Sequence, residues 1–296
     1  MDEKKPKLDF NELIEKIKDK NISTHYHDKK YVIDILRNRN YYYRLISYRK
    51  NFRKNKDGYI GLDFRALTDM ASIDTYLREY LLSLCLDVEH RAKTHLMTHI
   101  TENKREDGYN LVNIFKNKHI SFYEKAIAQF SRNTYKKEMW NKRKDISIWV
   151  FLEIIDFGTL IYLIYEYEQL YPDFKTLLSS RDLKYIKNIR NSCAHNDVYF
   201  INVFSSMKQP SSSAVSYGQL IGLQRNDIKR IKLHDLTILF YLHNKLCSKD
   251  LNKRRYSEGQ QVIERIKRNI NLYNESYAYH YFFYHFNIFV DYLNKM

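Results

Sequence analysis

The residues best suited to chemistry lie in the segment IRNSCAHND, which runs from Ile189 to Asp197 in an otherwise apolar, helical context. His195 is a candidate general acid or base near neutral pH. Arg190 is a permanent cation that can bind a phosphate through two hydrogen bonds. The pair suits cleavage of an RNA phosphodiester, where a base takes the proton of the ribose 2′-OH and a cation stabilises charge on the phosphorane oxygens. Because RNA supplies its own nucleophile, this chemistry needs no serine, cysteine or metal.

The spacing of Arg190 and His195 limits how they can meet. Positions i and i+5 lie about 140° apart on an ideal helix. The two side chains therefore converge only if the arginine reaches round the helix, if the helix ends near His195, or if a second copy of the chain supplies a partner motif. The alternative is structural, with Arg190 in a surface ion pair and His195 as a polar group at a helix end.

A second candidate set is Arg91, His95 and His99, whose i, i+4 and i+8 spacing places them near one helix face. A nuclease reading makes them a second site or the second half of a site within one chain. The alternative is an amphipathic helix in which Arg91 pairs with a carboxylate and the histidines are partly buried. His-x3-His also suits zinc, but no third ligand is apparent. No flavin, nicotinamide or nucleoside triphosphate motif occurs, so we expect neither metal nor cofactor.

Clusters of basic residues are candidates for nucleic-acid contact. The first is interleaved with tyrosines, which can stack on unpaired bases while the cations neutralise phosphates. The alternative places the tyrosines in the core and the charges on a solvated face. The first cluster is Arg37, Arg39, Arg44, Arg49, Lys50, Arg53 and Lys54, with Tyr41, Tyr42, Tyr43 and Tyr48; the second is Lys136, Lys137, Lys142, Arg143 and Lys144; a third basic region is Lys253, Arg254, Arg255, Arg265, Lys267 and Arg268.

The composition limits the class of protein that can position these residues. The 296 residues include 50 Lys and Arg against 35 Asp and Glu, a net charge of +15 that indicates a polyanionic partner. Hydrophobic residues make up 44% of the chain, enough for a large core. With only 7 Gly and 3 Pro, sandwiches, propellers and Rossmann-type folds are improbable, and we predict an all-α fold.

The apolar periodicity predicts the helices and their core faces. We expect a docked N-terminal helix, then a basic-aromatic segment whose core face includes Tyr43, then a long helix over 69–99 with Tyr76 in its core face. One buried helix should cover 148–171 and another helix 179–204. A weakly structured stretch at 208–219 and an aromatic C-terminal core helix should follow. We predict three segments: 1–60, a helical core over 61–205, and a C-terminal extension over 220–296. Three unpaired cysteines and no long apolar run favour a reducing, cytoplasmic setting without a membrane span.

Several blocks resemble a known family. RNSCAH is similar to the Rx4-6H signature of the HEPN ribonuclease superfamily, in which a polar residue, here Asn191, follows the arginine. NRNYYYRLISYRKNF at 38–52, DTYLREYLLSLCLDVEHRAKTHL at 74–96, SIWVFLEIIDFGTL at 147–160 and YIKNIRNSCAHN at 185–196 resemble, in order, the blocks of the Abi_2 abortive-infection proteins of the AbiD/AbiF type. One departure is Asn196, where members of the family often have a second histidine.

The resemblance implies a HEPN-like helical bundle with additional N- and C-terminal helices, related to the nuclease domains of Cas13 effectors. It also implies a homodimeric, metal-independent endoribonuclease that arrests growth after phage infection and, in some members, binds a non-coding RNA. In that reading His195 is general base or acid, Arg190 binds the scissile phosphate, Asn191 orients either, and cleavage leaves a 2′,3′-cyclic phosphate. Two alternatives are a non-catalytic RNA-binding protein and a toxin silenced by a partner nucleotidyltransferase, with Tyr199 as candidate target.

Overall fold

The structure is a computed structural model that describes residues 6–25, 28–143, 145–173 and 178–295. This part of the chain is an all-α bundle, as the composition predicts. Its α-helices are α1 (Phe10–Lys18), α2 (Lys29–Asp34), α3 (Tyr42–Ser47), α4 (Phe64–Glu102), α5 (Asn110–Lys118), α6 (Ile120–Arg132), α7 (Lys137–Lys142), α8 (Ile148–Ile154), α9 (Phe157–Leu170), α10 (Ser180–Ala194), α11 (Ser212–Ile221), α12 (Arg225–Ile228), α13 (Ile231–Leu246), α14 (Lys249–Lys267) and α15 (Tyr277–Tyr292).

Short segments of other secondary structure complete the description. A π-helical turn over Ile35–Arg39 follows α2, and 3-10 turns occupy Tyr48–Asn51, Thr134–Lys136 and Ile270–Tyr273. The strands β1 (Lys54–Asn55) and β2 (Gly58–Tyr59) form an antiparallel hairpin in which Lys54 pairs with Tyr59 and Asn55 with Gly58. No helix within the described ranges is long and apolar enough to cross a membrane.

The organising element is α4, which is longer at both ends than the predicted range 69–99. The side chain of Asp63 caps its first turn by accepting a hydrogen bond from Arg65 N–H over 2.8 Å. Its 39 residues span roughly 58 Å. Helices α9, α10, α13 and α14 pack around it and cover the apolar face that includes Leu77, Leu81 and Leu84.

One continuous apolar core extends from Ile14 to Leu293 and draws on all three predicted segments. The N-terminal helix docks through Ile14 and Ile17, and the aromatic helix α15 buries Phe282 and Phe286, so both expectations are confirmed. The division of the chain into three segments stays a prediction.

The prediction of one helix over 148–171 was wrong, because two helices cover this range. The chain is extended at Ile155 and Asp156, which separates α8 from α9. Asp156 accepts a hydrogen bond from Thr159 N–H over 2.8 Å and thereby starts α9 as an N-cap. Hydrophobicity alone predicted one helix here, whereas the capping carboxylate within the apolar run marks the start of a second helix.

The expectations for 179–204 and 208–219 also need correction. The first helix ends at Ala194, and the following residues form a loop. Most of α11 lies in the stretch at 208–219, and Ser211 caps this helix by accepting from Ala214 N–H over 3.2 Å. The serines therefore mark a helix start instead of a linker.

Two tyrosines assigned to the core are exposed. Tyr43 is 80% exposed because the backbone is extended at Asn40 and Tyr41, which breaks the helical period assumed across this segment. Tyr76 lies at the solvent edge of α4, beside the buried Leu77. Of the other tyrosines in the first cluster, Tyr48 is buried and Tyr41 is exposed.

Candidate active site

The Arg190–His195 motif lies at the C-terminal end of α10. The buried face of this helix carries Leu183, Ile186 and Ile189, which leaves Arg190 and Asn191 half-buried at its edge. His195 is the C-cap residue and is exposed. One of the geometries in which the two residues can converge, a helix end at His195, is therefore present.

Local hydrogen bonds explain why α10 ends at this point. Asn196 N–H donates to Cys193 O over 3.2 Å, and Asp197 N–H donates to Ser192 O over 2.9 Å, which together form a Schellman motif. Asn196 has a left-handed backbone with φ 64°, a conformation that asparagine tolerates better than most residues. Asn196 is thus the residue that terminates the helix.

Arg190 lies beside acidic groups from other helices. Its Nε is 4.0 Å from Oε2 of Glu89 on α4, and neither of these buried atoms makes a hydrogen bond among the described residues. Arg190 Nη1 donates to Asn191 Oδ1 over 3.3 Å. Burial raises the pKa of Glu89 above its ordinary value, and Asp156 at the start of α9 raises it further.

The loop after His195 is anchored to α4 by Asp74, which is fully buried. Asp74 accepts backbone hydrogen bonds from Tyr199 over 3.3 Å and Phe200 over 2.6 Å. It also accepts from the hydroxyl of Tyr48 over 2.9 Å and from Nε of Arg78 over 3.1 Å. One carboxylate therefore joins the N-terminal segment, α4 and the loop of the motif.

Two arginines reach the residue next to His195. Arg44 Nη1 donates to the backbone oxygen of Asn196, and Arg78 Nη1 donates to its side-chain oxygen. Because Arg78 contacts Asn196 whereas Glu89 contacts Arg190, α10 runs antiparallel to α4. Sequence reasoning missed Asp74, Arg78 and Glu89 as neighbours of the motif; the i, i+4 pair Asp74 and Arg78 was the available signal.

The first basic cluster divides into two groups. Arg37, Arg39 and Arg44 line a cavity of about 740 Å³ that Ala194 and Asn196 also line, so these three cations lie beside the motif. The remaining members do not line that cavity: Arg49 donates to Ile46 O over 2.6 Å, Arg53 lies 3.9 Å from Glu275, and Lys50 and Lys54 are exposed.

The second basic cluster lies around α7, on the side of α6 and α8. Lys136 donates to the backbone oxygen of Glu153, and Lys142 pairs with Glu138. Lys137 and Arg143 are exposed, whereas Lys144 lies outside the described residues. The structure thus brings members of the first cluster, and not of the second, to the motif cavity.

The second candidate set, Arg91, His95 and His99, lies on α4. Two of its members form a histidine pair, with His95 Nε2 3.2 Å from His99 Nε2. Burial lowers the pKa of His95, and the neighbouring His99 lowers it further. Arg91 lies near Cys247, whose pKa burial raises to about 11. Nowhere in the described ranges do three His, Cys, Asp or Glu side chains gather in a way that could hold a metal ion.

Tyr199, the candidate modification target, is buried. The ammonium of Lys232 lies 4.4 Å from its ring centroid, and burial raises its pKa well above the ordinary value. Modification of Tyr199 would require this buried side chain to become accessible, and its role as a target stays a prediction. Cys85, Cys193 and Cys247 are buried free thiols.

These features define an all-α protein with an Arg–His motif at a helix end and an arginine-rich cavity beside it. The chain belongs to the family of Abi-like proteins, whose family model matches residues 34–200. That range includes α4, α10, the motif and the arginines of the cavity. No curated protein and no solved structure matches the chain significantly.

Proposed function

We propose that this Abi-like protein is an abortive-infection endoribonuclease of the HEPN type, which cleaves RNA without a metal ion. The observation that carries the proposal is the placement of Arg190 and His195 at the end of α10, beside a cavity lined by arginines. The family supplies the setting of abortive infection, and the residues of the motif supply the chemistry.

The reaction follows from the groups available. His195 removes the proton of a ribose 2′-OH, and the oxygen attacks the adjacent phosphorus. Arg190 binds a non-bridging oxygen and stabilises the charge that develops on it, while Asn191 holds the guanidinium in place. The bond from phosphorus to the 5′-oxygen breaks, and a second histidine donates the proton that this oxygen needs. The products are a 2′,3′-cyclic phosphate and a 5′-hydroxyl.

A second copy of the chain supplies the second histidine in this proposal. Leu86 on α4 is 47% exposed. It lies one helical turn from Leu82, which lines the motif cavity, and one turn from Glu89, which contacts Arg190. We call Leu82, Leu86 and Glu89 the α4 stripe. Two copies that bury the α4 stripe against each other place their α10 helix ends at one interface.

The net charge of +15 supports a lasting polyanionic partner, and we propose that this partner is a structured non-coding RNA. Such an RNA can occupy the exposed cations that do not line the motif cavity, including Lys50 and Lys54. This part of the proposal leaves the chemistry at His195 unchanged.

The test is cleavage of end-labelled RNA in the presence of a chelator, with His195→Ala, Arg190→Ala and the matched control His25→Ala. His25 is an exposed histidine of the N-terminal segment. We expect cyclic-phosphate ends from the wild type and from His25→Ala, with a rate about 100-fold to 10,000-fold lower in His195→Ala. RNA affinity, measured in parallel, stays within about threefold in His195→Ala.

Two outcomes overturn the proposal. Cleavage that survives in His195→Ala, or that chelation abolishes, assigns the activity to other groups. Tight RNA binding without cleavage by any form makes the chain an RNA-binding protein, in which the contact between Arg190 and Glu89 is structural.

A further inference from the structure

Two cavities lie side by side along the first half of α4, and together they extend beyond what one scissile phosphate requires. The 740 Å³ cavity beside the motif adjoins a second cavity of about 450 Å³, and Arg39, Asn40 and Thr75 line both. We call the two together the α4 cleft. One end reaches Ala194 and Asn196, the neighbours of His195 in sequence, and the other reaches Arg265 on α14.

The charges of the α4 cleft favour an anion with repeated negative groups. Among the described residues, Glu79 and Asp69 are the carboxylates that line it, and Asp34, Asp63 and Asp74 pair with lining arginines from outside the cleft. Asp69 and Arg265 form an ion pair without net charge, in which Arg265 Nη2 donates over 2.6 Å, and Tyr273 also donates to Asp69 over 2.5 Å. Nη1 of Arg265 is buried and makes no hydrogen bond to the described residues. The arginines that line the cleft are Arg37, Arg39, Arg44, Arg65, Arg78 and Arg265.

The cleft also offers a surface for unpaired bases. Tyr41 lines the larger cavity and is 63% exposed, so its ring faces can stack on a base. A base in a duplex is already stacked and paired, whereas a base in a single strand can turn its face to a tyrosine. Each cavity lies within the roughly 300–1,000 Å³ typical of sites for small ligands, so neither needs to hold more than a few nucleotides.

We propose that the α4 cleft binds a single-stranded RNA segment that continues from the phosphate at His195 towards Arg265. The inference rests on the proposed function and deepens it, because it assigns a strand path to residues outside the Arg–His motif. The path is formed by the N-terminal segment, by α4 and by α14. It separates Arg37, Arg39 and Arg44 from the other cations of their cluster, which line neither cavity.

The same cleft connects a bound strand to the motif. Arg44 and Arg78 line it and also hold Asn196, which ends α10. Arg78 is buried and already donates to Asp74, Thr75 and Asn196, so the phosphate ligand is Arg44, and a phosphate bound to Arg44 lies against the residue next to His195. Arg44 therefore contacts both the bound strand and the loop of the motif, so the cleft positions RNA for cleavage as well as binding it.

The experiment measures affinity by fluorescence anisotropy in the full-length His195→Ala background, with a short unstructured oligoribonucleotide. Arg37→Ala/Arg39→Ala is compared with Lys104→Ala/Arg105→Ala, which removes the same charge from exposed positions beyond the far end of α4. We expect the cleft variant to bind about tenfold more weakly and its log–log salt dependence to flatten by about 1.4. The control stays within about twofold.

A second pair of variants tests the cleft without removing any arginine. Thr75 is exposed and lies where the two cavities meet. Thr75→Glu places a carboxylate there, and Thr75→Gln places a neutral group of the same size. We expect Thr75→Glu to weaken RNA binding about tenfold more than Thr75→Gln does, because the side chains differ in charge and not in bulk.

Competition identifies the ligand. Equal losses in both double variants, or a duplex that binds as well as the single strand, overturn the proposal. So does a free mononucleotide that displaces RNA at comparable concentration, since the cleft is then a nucleotide pocket. Specific binding in the cleft without cleavage by the wild type refutes the proposed function alone, whereas cleavage that is unaffected by Arg37→Ala/Arg39→Ala refutes the cleft alone.

Discussion

The backbone N–H of Phe200 donates a hydrogen bond to Oδ1 of Asp74 over 2.6 Å. A carboxylate of α4 thereby holds the chain five residues beyond His195. Because Asp74 is fully buried and its other oxygen accepts from Arg78 and Tyr48, the contact belongs to a charged network inside the core. The position of the motif depends on that network.

The first prediction concerns the stability of this network. Asp74→Ala leaves Arg78 as a buried cation without its carboxylate, so we expect the free energy of unfolding to fall by about 3–5 kcal/mol. Urea denaturation measures the change, with the exposed Glu124→Ala as control, which should alter stability by less than about 0.5 kcal/mol. A loss below about 1 kcal/mol in Asp74→Ala would show that Asp74 does not anchor the loop.

Two substitutions at Asn196 separate the effect of backbone conformation on stability from the effect of side-chain contacts. Asn196→Ala and Asn196→Gly both lose the hydrogen bond from Arg78, but only alanine is strained at φ 64°. We therefore expect Asn196→Ala to be about 1 kcal/mol less stable than Asn196→Gly. Equal stabilities of the two variants in thermal or urea unfolding would contradict a left-handed residue at this position.

Glu89 should oppose the binding of a phosphate to Arg190. Glu89→Gln removes that competition, so we expect KM for RNA to fall about threefold, with Glu102→Gln at the exposed end of α4 as control. Burial raises the pKa of Glu89, so its carboxylate becomes neutral at a higher pH than an ordinary glutamate does.

The wild-type KM should consequently fall as the pH is lowered through the acidic range, and the KM of Glu89→Gln should change less. Steady-state kinetics over a pH series measures this. Parallel pH profiles for the two proteins would exclude Glu89 as the competitor for Arg190.

Leu86 tests the proposed dimer. Leu86→Glu places a charge in the stripe that two copies are proposed to bury, so we expect light scattering to report a monomer and RNA cleavage to be lost. The matched control is Leu220→Glu on α11, where the leucine is also exposed but lies on another helix. A dimeric and active Leu86→Glu variant would place the interface elsewhere.

The lowered pKa of Asp87 predicts that the protein loses stability in acid. Burial raises the pKa of Asp87, but hydrogen bonds from His243 over 3.1 Å and Arg255 over 2.6 Å outweigh it and lower the pKa to about 2. A depressed pKa contributes stability above the ordinary carboxyl pKa, and this contribution is lost as the pH falls from about 4 to about 2. The shift corresponds to roughly 2 kcal/mol.

Urea unfolding at several pH values checks the contribution of Asp87. The decline between pH 4 and pH 2 should be shallower in Asp87→Asn than in the wild type, whereas the exposed Asp250→Asn should follow the wild type. Identical declines in all three proteins would assign the acid sensitivity to other carboxylates.

Local patterns predicted much of this protein correctly. The scarcity of Gly and Pro indicated helices, and the apolar periodicity located α1, α4 and α15, because the buried face of a helix repeats within a few residues. Where prediction failed, a local polar group had stopped a helix: Asp156 separates α8 from α9, and Asn196 ends α10. Hydrophobic periodicity does not register such capping interactions.

The sequence by itself determined the helical class, the basic charge and the position of the Arg–His motif in the chain. Only the tertiary structure decided which groups surround that motif. Asp74 and Phe200 are 126 positions apart, and Arg44 and Asn196, which line the α4 cleft from two sides, are 152 positions apart. Such contacts depend on how helices pack against one another, and a periodic pattern specifies the buried face of a helix without specifying its partner.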